Sequence, residues 1–139
     1  MRFLFDTCVL IDYLHDPNNI AADALFVAAD QGEVFVTLIS LMELYLPRNR
    51  RKSEIREEVN QILELCRRLN IKIIPASSAS QCKALDILRQ HQASLNVGLP
   101  DSLIVGISQA RRAYLVTRED KLFRVSSRVI SPVELVQRF

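Results

Sequence analysis

In four places an apolar run of this sequence ends on carboxylates: Phe3-Leu4-Phe5-Asp6-Thr7, Leu41-Met42-Glu43-Leu44, Leu99-Pro100-Asp101-Ser102-Leu103-Ile104 and Leu115-Val116-Thr117-Arg118-Glu119-Asp120. Carboxylate oxygens without His or Cys partners suit hard cations, Mg²⁺ or Mn²⁺, which keep several waters and take substrate phosphate as a further ligand. Two such ions about 3.5 to 4 Å apart can activate a water and neutralise the leaving oxygen of a phosphodiester in an in-line displacement. Without a cation, so many carboxylates in one pocket would repel each other, and some would stay protonated.

Taken singly, most of these acids have an ordinary explanation. Asp6, directly after a strand-like run, is also what caps a helix. Asp101 beside Pro100 is also a first-turn acid stabilised by the helix dipole. At least one of Glu119 and Asp120 reads as a turn residue, and Asp12 as a solvated acid or the partner of a basic neighbour. Glu43 is the hardest to dismiss, because Leu41, Met42, Leu44 and Leu46 surround it and an unpaired carboxylate there would be costly. The case rests on the acids jointly.

The elements that must position them follow from periodicity. Arg2 to Phe5 reads as a strand, Leu10 to Leu14 as a helical turn or two, and Ile20 to Gln31 as a helix stopped by Gly32. Val34 to Leu38 is a second strand and Ile39 to Leu46 a short helix closed by Pro47. Ser53 to Leu69 is an amphipathic helix with Ser53 as cap and Ile55, Val59, Ile62, Leu63, Cys66 and Leu69 on its inner face. Ile71 to Ile74 is a third strand, and Ser77 to about Ala93 a helix facing inward through Cys82, Leu85 and Leu88. A helix from Pro100 buries Leu103, Ile104, Ile107 and Ala110. Tyr114 to Thr117 and Arg128 to Ile130 are the last strands, and Ser131-Pro132-Val133-Glu134 opens the final helix with a capping box.

Strands alternating with helices imply a parallel sheet covered on both faces, with its reactive site beyond the carboxyl ends of the strands at a topological switch point. Asp6 and the Thr117 to Asp120 loop fall at such ends. At 139 residues and 49% hydrophobic, the chain suits one domain, residues 1–139, with a core that needs no disulfides. The odd count of 3 cysteines and the isolated His15 and His91 suggest neither a disulfide framework nor a zinc site. No apolar stretch approaches membrane-spanning or secretory length, so a cytoplasmic protein with no membrane partner is expected.

A net charge of +2 does not announce a nucleic-acid binder, but the distribution is uneven. Residues 47 to 56 carry five basic groups and one acidic, and residues 111 to 128 carry six and two. Both are expected to be solvated, or to be phosphate-contacting rims if they lie beside the acids; Arg48, Arg50, Arg51 and Lys52 are the candidates for steering RNA.

The opening Phe5-Asp6-Thr7-Cys8-Val9-Leu10-Ile11-Asp12-Tyr13-Leu14, with Leu41-Met42-Glu43-Leu44, Pro100-Asp101-Ser102-Leu103-Ile104-Val105 and Leu115-Val116-Thr117-Arg118-Glu119-Asp120, resembles in order the motifs of PIN-domain nucleases, and most of all the VapC-type toxin ribonucleases. The resemblance covers essentially the whole chain. It implies a three-layer α/β fold, a central parallel sheet of about five strands with helices on both faces, and a Mg²⁺- or Mn²⁺-dependent endoribonuclease site. Asp6, Glu43 and Asp101 match the family's three best-defined metal ligands, and Thr117 a hydroxyl position that orients the site. For the fourth acid, Glu119 stands where a common form of the motif has Asp, while Asp120 serves if the loop is one residue longer; Asp120 is preferred, with Glu119 as its alternative. The Thr usually two residues ahead of the Glu is missing, and Ser40, three ahead of Glu43, is the substitute on offer.

The same resemblance implies an RNA substrate, a small antitoxin partner whose C-terminal segment covers the site, and a homodimer built on helices, for which Ser53 to Leu69 and Ile20 to Gln31 are candidates. Two other classes compete. A non-catalytic binding module would keep the fold with a decayed site. A phosphoryl-aspartate protein is disfavoured, because a dehalogenase-like phosphatase needs a second Asp where this chain has Cys8, and a receiver domain needs its Asp where Ile74 meets Pro75.

Overall fold

A computed structural model describes residues 1–46 and 51–139. The element order is β1 (Arg2–Phe5), α1 (Thr7–His15), α2 (Ile20–Gln31), β2 (Glu33–Thr37), α3 (Leu38–Glu43), α4 (Lys52–Leu69), β3 (Lys72–Ile74), α5 (Ser78–Leu95), α6 (Leu99–Ala110), β4 (Tyr114–Val116), a 3₁₀ turn (Asp120–Arg124), β5 (Val129–Ile130) and α7 (Pro132–Arg138). The strands form one sheet in the order β3-β2-β1-β4-β5, and every pairing is parallel. The expected α/β architecture of a five-stranded parallel sheet with helices on both faces is what the chain adopts.

Period-two alternation sorts each strand between the two faces. Phe3, Phe5, Val34, Val36, Val116 and Ile130 pack on one side with residues of α1, α2, α4 and α7. Leu4, Phe35, Leu115 and Val129 pack on the other with Ile87 of α5 and Ile104, Val105 and Ile107 of α6. Both faces are therefore dry, as a parallel sheet requires.

Several boundaries differ from expectation for local reasons. The second strand stops at Thr37 rather than Leu38, because the Thr37 hydroxyl accepts from Ser40 N–H at 3.0 Å and starts α3 there. Ser53 does not cap α4; Arg51 occupies that position without a side-chain cap, and Ser53 lies in the first turn. On α4 the fully buried leucine is Leu65, whereas Leu63 is exposed. On α5 the inner face is Ser80, Ala84 and Ile87, while Cys82 and Leu85 are exposed. Helices α2 and α4 turn their apolar faces to the core, through Ala24, Leu25 and Ala28 and through Ile55, Ile62 and Leu65. Ser131 accepts from Glu134 N–H at 3.0 Å, so the cap expected for α7 forms.

Helix α6 carries Asp101, and its seat is set by Gly106. A Cβ built there would lie 2.4 Å from the Ser80 carbonyl oxygen and 3.0 Å from Ala84 N, both backbone atoms of α5. Gly costs an isolated helix about 1 kcal/mol relative to Ala, but the clash reverses the sign here. Gly106→Ala should therefore destabilise the chain by about 1–3 kcal/mol in urea unfolding, where propensity alone would stabilise it.

Candidate active site

Successive strands are added on one side of β1 up to β3 and on its other side from β4, and the crevice beyond the carboxyl ends at this β1/β4 junction is where an open α/β sheet places its chemistry. Asp6 leaves β1 with its N–H bonded to the Val116 carbonyl at 3.0 Å, and Thr117 leaves β4 with its N–H on the Ile130 carbonyl at 3.1 Å. Across this junction the Thr117 hydroxyl donates to Asp6 Oδ2 at 2.9 Å and accepts from Glu119 N–H at 3.1 Å. Asp6 does occupy the N-cap position of α1, but its side chain makes no capping bond. Its carboxylate is directed to Thr117 instead.

Asp6, Glu43, Asp101 and Glu119 line a single hollow of about 280 Å³. Each arrives on a different segment: the end of β1, the last turn of α3, the first turn of α6 and the loop after β4. Asp120 is placed elsewhere. The Glu119–Thr117 bond turns the chain so that Asp120 opens the 3₁₀ turn and lines a second hollow with Asn96, Lys121 and Arg124. Ser40 is buried and its hydroxyl accepts from the Thr37 hydroxyl at 2.8 Å, so it belongs to the start of α3.

The hollow is rich in acids. Among the described residues its lining holds the carboxylates of Asp6, Glu43, Glu58, Asp101 and Glu119 and the guanidinium of Arg118. Burial pushes the Asp6 carboxyl above the ordinary carboxylate range, and the negative charges of Glu119 and Asp101 add to the effect, while hydrogen bonds from Thr117 and Cys8 oppose it. The Cys8 thiol, buried beside Asp6, is pushed up to about 11 and stays protonated at neutral pH. Lys121 reaches Asp101 Oδ2 at 2.9 Å, and that bond raises its ammonium above the ordinary lysine value. Arg118 pairs with Asp12 at 3.0 Å, the second of the two ordinary roles open to that acid.

At the far side of the hollow, His15 Nε2 stands 3.6 Å from Glu58 Oε2. Glu58 is only 6% exposed, and a buried carboxylate is tolerated when it is paired. It was overlooked in the sequence, although the signal was there: three residues after Ile55 and four before Ile62, it falls on the apolar face of α4. The basic stretch 111–128 also divides. Arg118 and Lys121 sit at the acids, whereas Arg111 and Arg128 lie over the rings of Phe35 and Tyr114 and precede β4 and β5, at the amino ends of the strands. Arg51 and Lys52 begin α4 as exposed residues; Arg48 and Arg50 lie outside the described residues.

A divalent cation fits this donor set on chemical grounds. The lining acids are all hard oxygen donors, and the shift at Asp6, due first to burial, includes repulsion from Glu119 and Asp101 that a cation would offset. Among the described residues no three His, Cys, Asp or Glu side chains close around a point by themselves. Mg²⁺ does not require such a cage, since it takes one or two carboxylates directly and keeps several waters.

Residues 3–127 match the sequence model of the PIN domain. The chain belongs to the PIN-domain family. Members of that family are nucleases in general. No curated protein matches this PIN domain in sequence. Among solved structures it is similar to a toxin-antitoxin complex from Klebsiella pneumoniae, at 24% identity and TM-score 0.67 over 93% of this chain and 96% of that one. It is also similar to VapBC2 from Rickettsia felis, bound to a DNA fragment from its promoter, at 20% and 0.71 over 94% and 97%. For DNA-bound VapBC from Salmonella typhimurium the values are 17% and 0.73 over 95% and 98%. At these identities the likeness establishes a shared fold, and function must be argued from the site. No helix among the described residues is long and apolar enough to cross a membrane.

The raised Asp6 carboxyl has a consequence for stability. Between the ordinary carboxylate value and the raised folded value, the folded chain binds more protons than the unfolded chain, so stability falls as pH rises through that window. Asp6→Asn keeps an oxygen for the Thr117 hydroxyl and removes the charge. In EDTA at neutral pH it should raise Tm and flatten the decline of stability as pH rises above the ordinary carboxylate range. A Tm at or below wild type at all pH values would contradict the assignment.

Proposed function

We propose that this PIN domain, residues 1–139 taken as one unit, is a metal-dependent endoribonuclease of the cytoplasm and the toxin component of a VapBC-like type II toxin-antitoxin system. The observation that carries the reading is the meeting of Asp6, Glu43, Asp101 and Glu119 in one hollow at the β1/β4 junction. Asp6, Glu43 and Asp101 would hold Mg²⁺ or Mn²⁺. Glu119 takes the fourth place in preference to Asp120, because it lines the same hollow and Asp120 does not. Bound there, the ion supplies Lewis-acid stabilisation of a phosphodiester and a lowered pKa for attacking water.

The protein's own groups do the rest. Thr117 fixes the rotation of the Asp6 carboxylate by donating to its Oδ2. Asp101, at the amino end of α6, is held by a helix whose seat Gly106 determines. Arg118, paired with Asp12 at the rim and exposed over 60% of its side chain, is placed to meet the RNA backbone. Sequence preference among RNAs would come from such rim contacts and pocket shape rather than from the acids.

With Mn²⁺ present, the purified protein should cut RNA, and Asp101→Asn or Glu43→Gln should lower the rate at least about 100-fold, as expected for losing an electrostatic contributor to the transition state. Glu119→Gln should cost about 10-fold or more, and Asp120→Asn little. Undiminished cutting by Asp101→Asn would sink the proposal. A protein that binds RNA without cutting it in any metal would favour the non-catalytic module.

An antitoxin partner and a homodimer belong to the same reading. Support for a second copy comes from the groove between α5 and α6, where Leu85 and Leu99 are 58% and 61% exposed and Ile39, Leu88 and Leu103 lie alongside. Light scattering should give twice the 15.9 kDa chain mass, and Leu85→Glu should return it to one. A monomeric wild type would refute the dimer.

A further inference from the structure

Lys121 does not behave as an ordinary surface lysine. Its ammonium lies 2.9 Å from Asp101 Oδ2 and 3.4 Å from the Asn96 carbonyl oxygen, so two separate segments fix one cationic group. The Asn96 carbonyl is offered by the left-handed residue that ends α5, at φ 53°. The backbone carrying Lys121 is fixed as well, because the next residue, Leu122, is fully buried in the core cluster that contains Ile104 of α6. The side chains of Lys121 and Asp101 are 35% and 24% exposed, partly withdrawn from water.

An ammonium and a divalent ion make competing demands on the same carboxylate. Each is satisfied by the oxygen lone pairs of Asp101, and each repels the other at hydrogen-bonding range. We propose that Lys121 is a placeholder cation: from the second hollow, which it lines with Asp120 and Asn96, its ammonium occupies Asp101 Oδ2 and gives way when a divalent ion binds that carboxylate. The proposal rests on the reading of Asp101 as a metal ligand. It assigns Lys121 a role in the metal-binding equilibrium: the ion pair lowers the apparent metal affinity and relieves repulsion among the acids. Neither Arg118, which is paired with Asp12, nor His15, which is paired with Glu58, contacts Asp101 in this way.

The test is calorimetric titration of Mn²⁺ into wild type, Lys121→Met and Lys121→Arg, with thermal unfolding in EDTA and in Mn²⁺ as a second readout that needs no RNA. A partly exposed ion pair sets the expected scale: Lys121→Met should bind Mn²⁺ about two- to five-fold more tightly. The same variant should melt at a lower temperature in EDTA and gain more from Mn²⁺, as linkage requires. Lys121→Arg, which keeps the charge, should remain near wild type in both. Equal or weaker Mn²⁺ binding by Lys121→Met would overturn the placeholder and make Lys121 a group that holds Asp101 ready for metal. If wild type and Lys121→Met both fail to take up Mn²⁺, the metal-centre reading falls, and the placeholder falls with it.

Discussion

The carboxylate of Asp6 is held where burial and its neighbours both oppose its charge, and the Thr117 hydroxyl is what holds it there. Much of the architecture serves that one contact. β1 and β4 must be adjacent and parallel, although most of the chain separates them, for residues 6 and 117 to emerge side by side. The hydroxyl then has two tasks, because it also receives the Glu119 N–H and so decides which of two consecutive acids faces the hollow. A side chain able to donate and accept at once is needed at that point.

Around that contact the hollow gathers acids, and at Asp6 burial and the charges of Glu119 and Asp101 all oppose ionisation, which is the usual condition of a site arranged to bind something of opposite sign. Among the described residues, Lys121 on Asp101 and Arg118 on Asp12 are partly exposed counter-charges, so each tempers repulsion only weakly. Stability is supplied elsewhere, by the two dry faces of the sheet.

The fold was readable because strands and helices here obey their periods strongly. The alternation Phe3, Leu4, Phe5 and the stop at Gly32 are local signals with local causes. Finer points were lost where a decision depended on a distant partner. Cys82 and Leu85 looked inward because α5 is apolar on more than one side, and only its packing on α6 selects Ser80, Ala84 and Ile87. Glu119 and Asp120 could not be separated by spacing, since the bond that chooses between them comes from Thr117. The acids from four segments are visible in the sequence as a set, whereas the place of Lys121 beside Asp101 depends on a tertiary contact that its basic run does not encode.

The backbone-to-backbone fit at Gly106 bears on how such a site can change over time. Helix positions advance by about 1.5 Å per residue, so sliding α6 by one step would bring Val105 or Ile107 against the Ser80 carbonyl and turn Asp101 away by about 100°. The seam therefore acts as a ratchet with a single permitted tooth. Rim residues can be exchanged freely around it, and substrate preference can drift, while the acid carried by α6 stays at one height above the sheet.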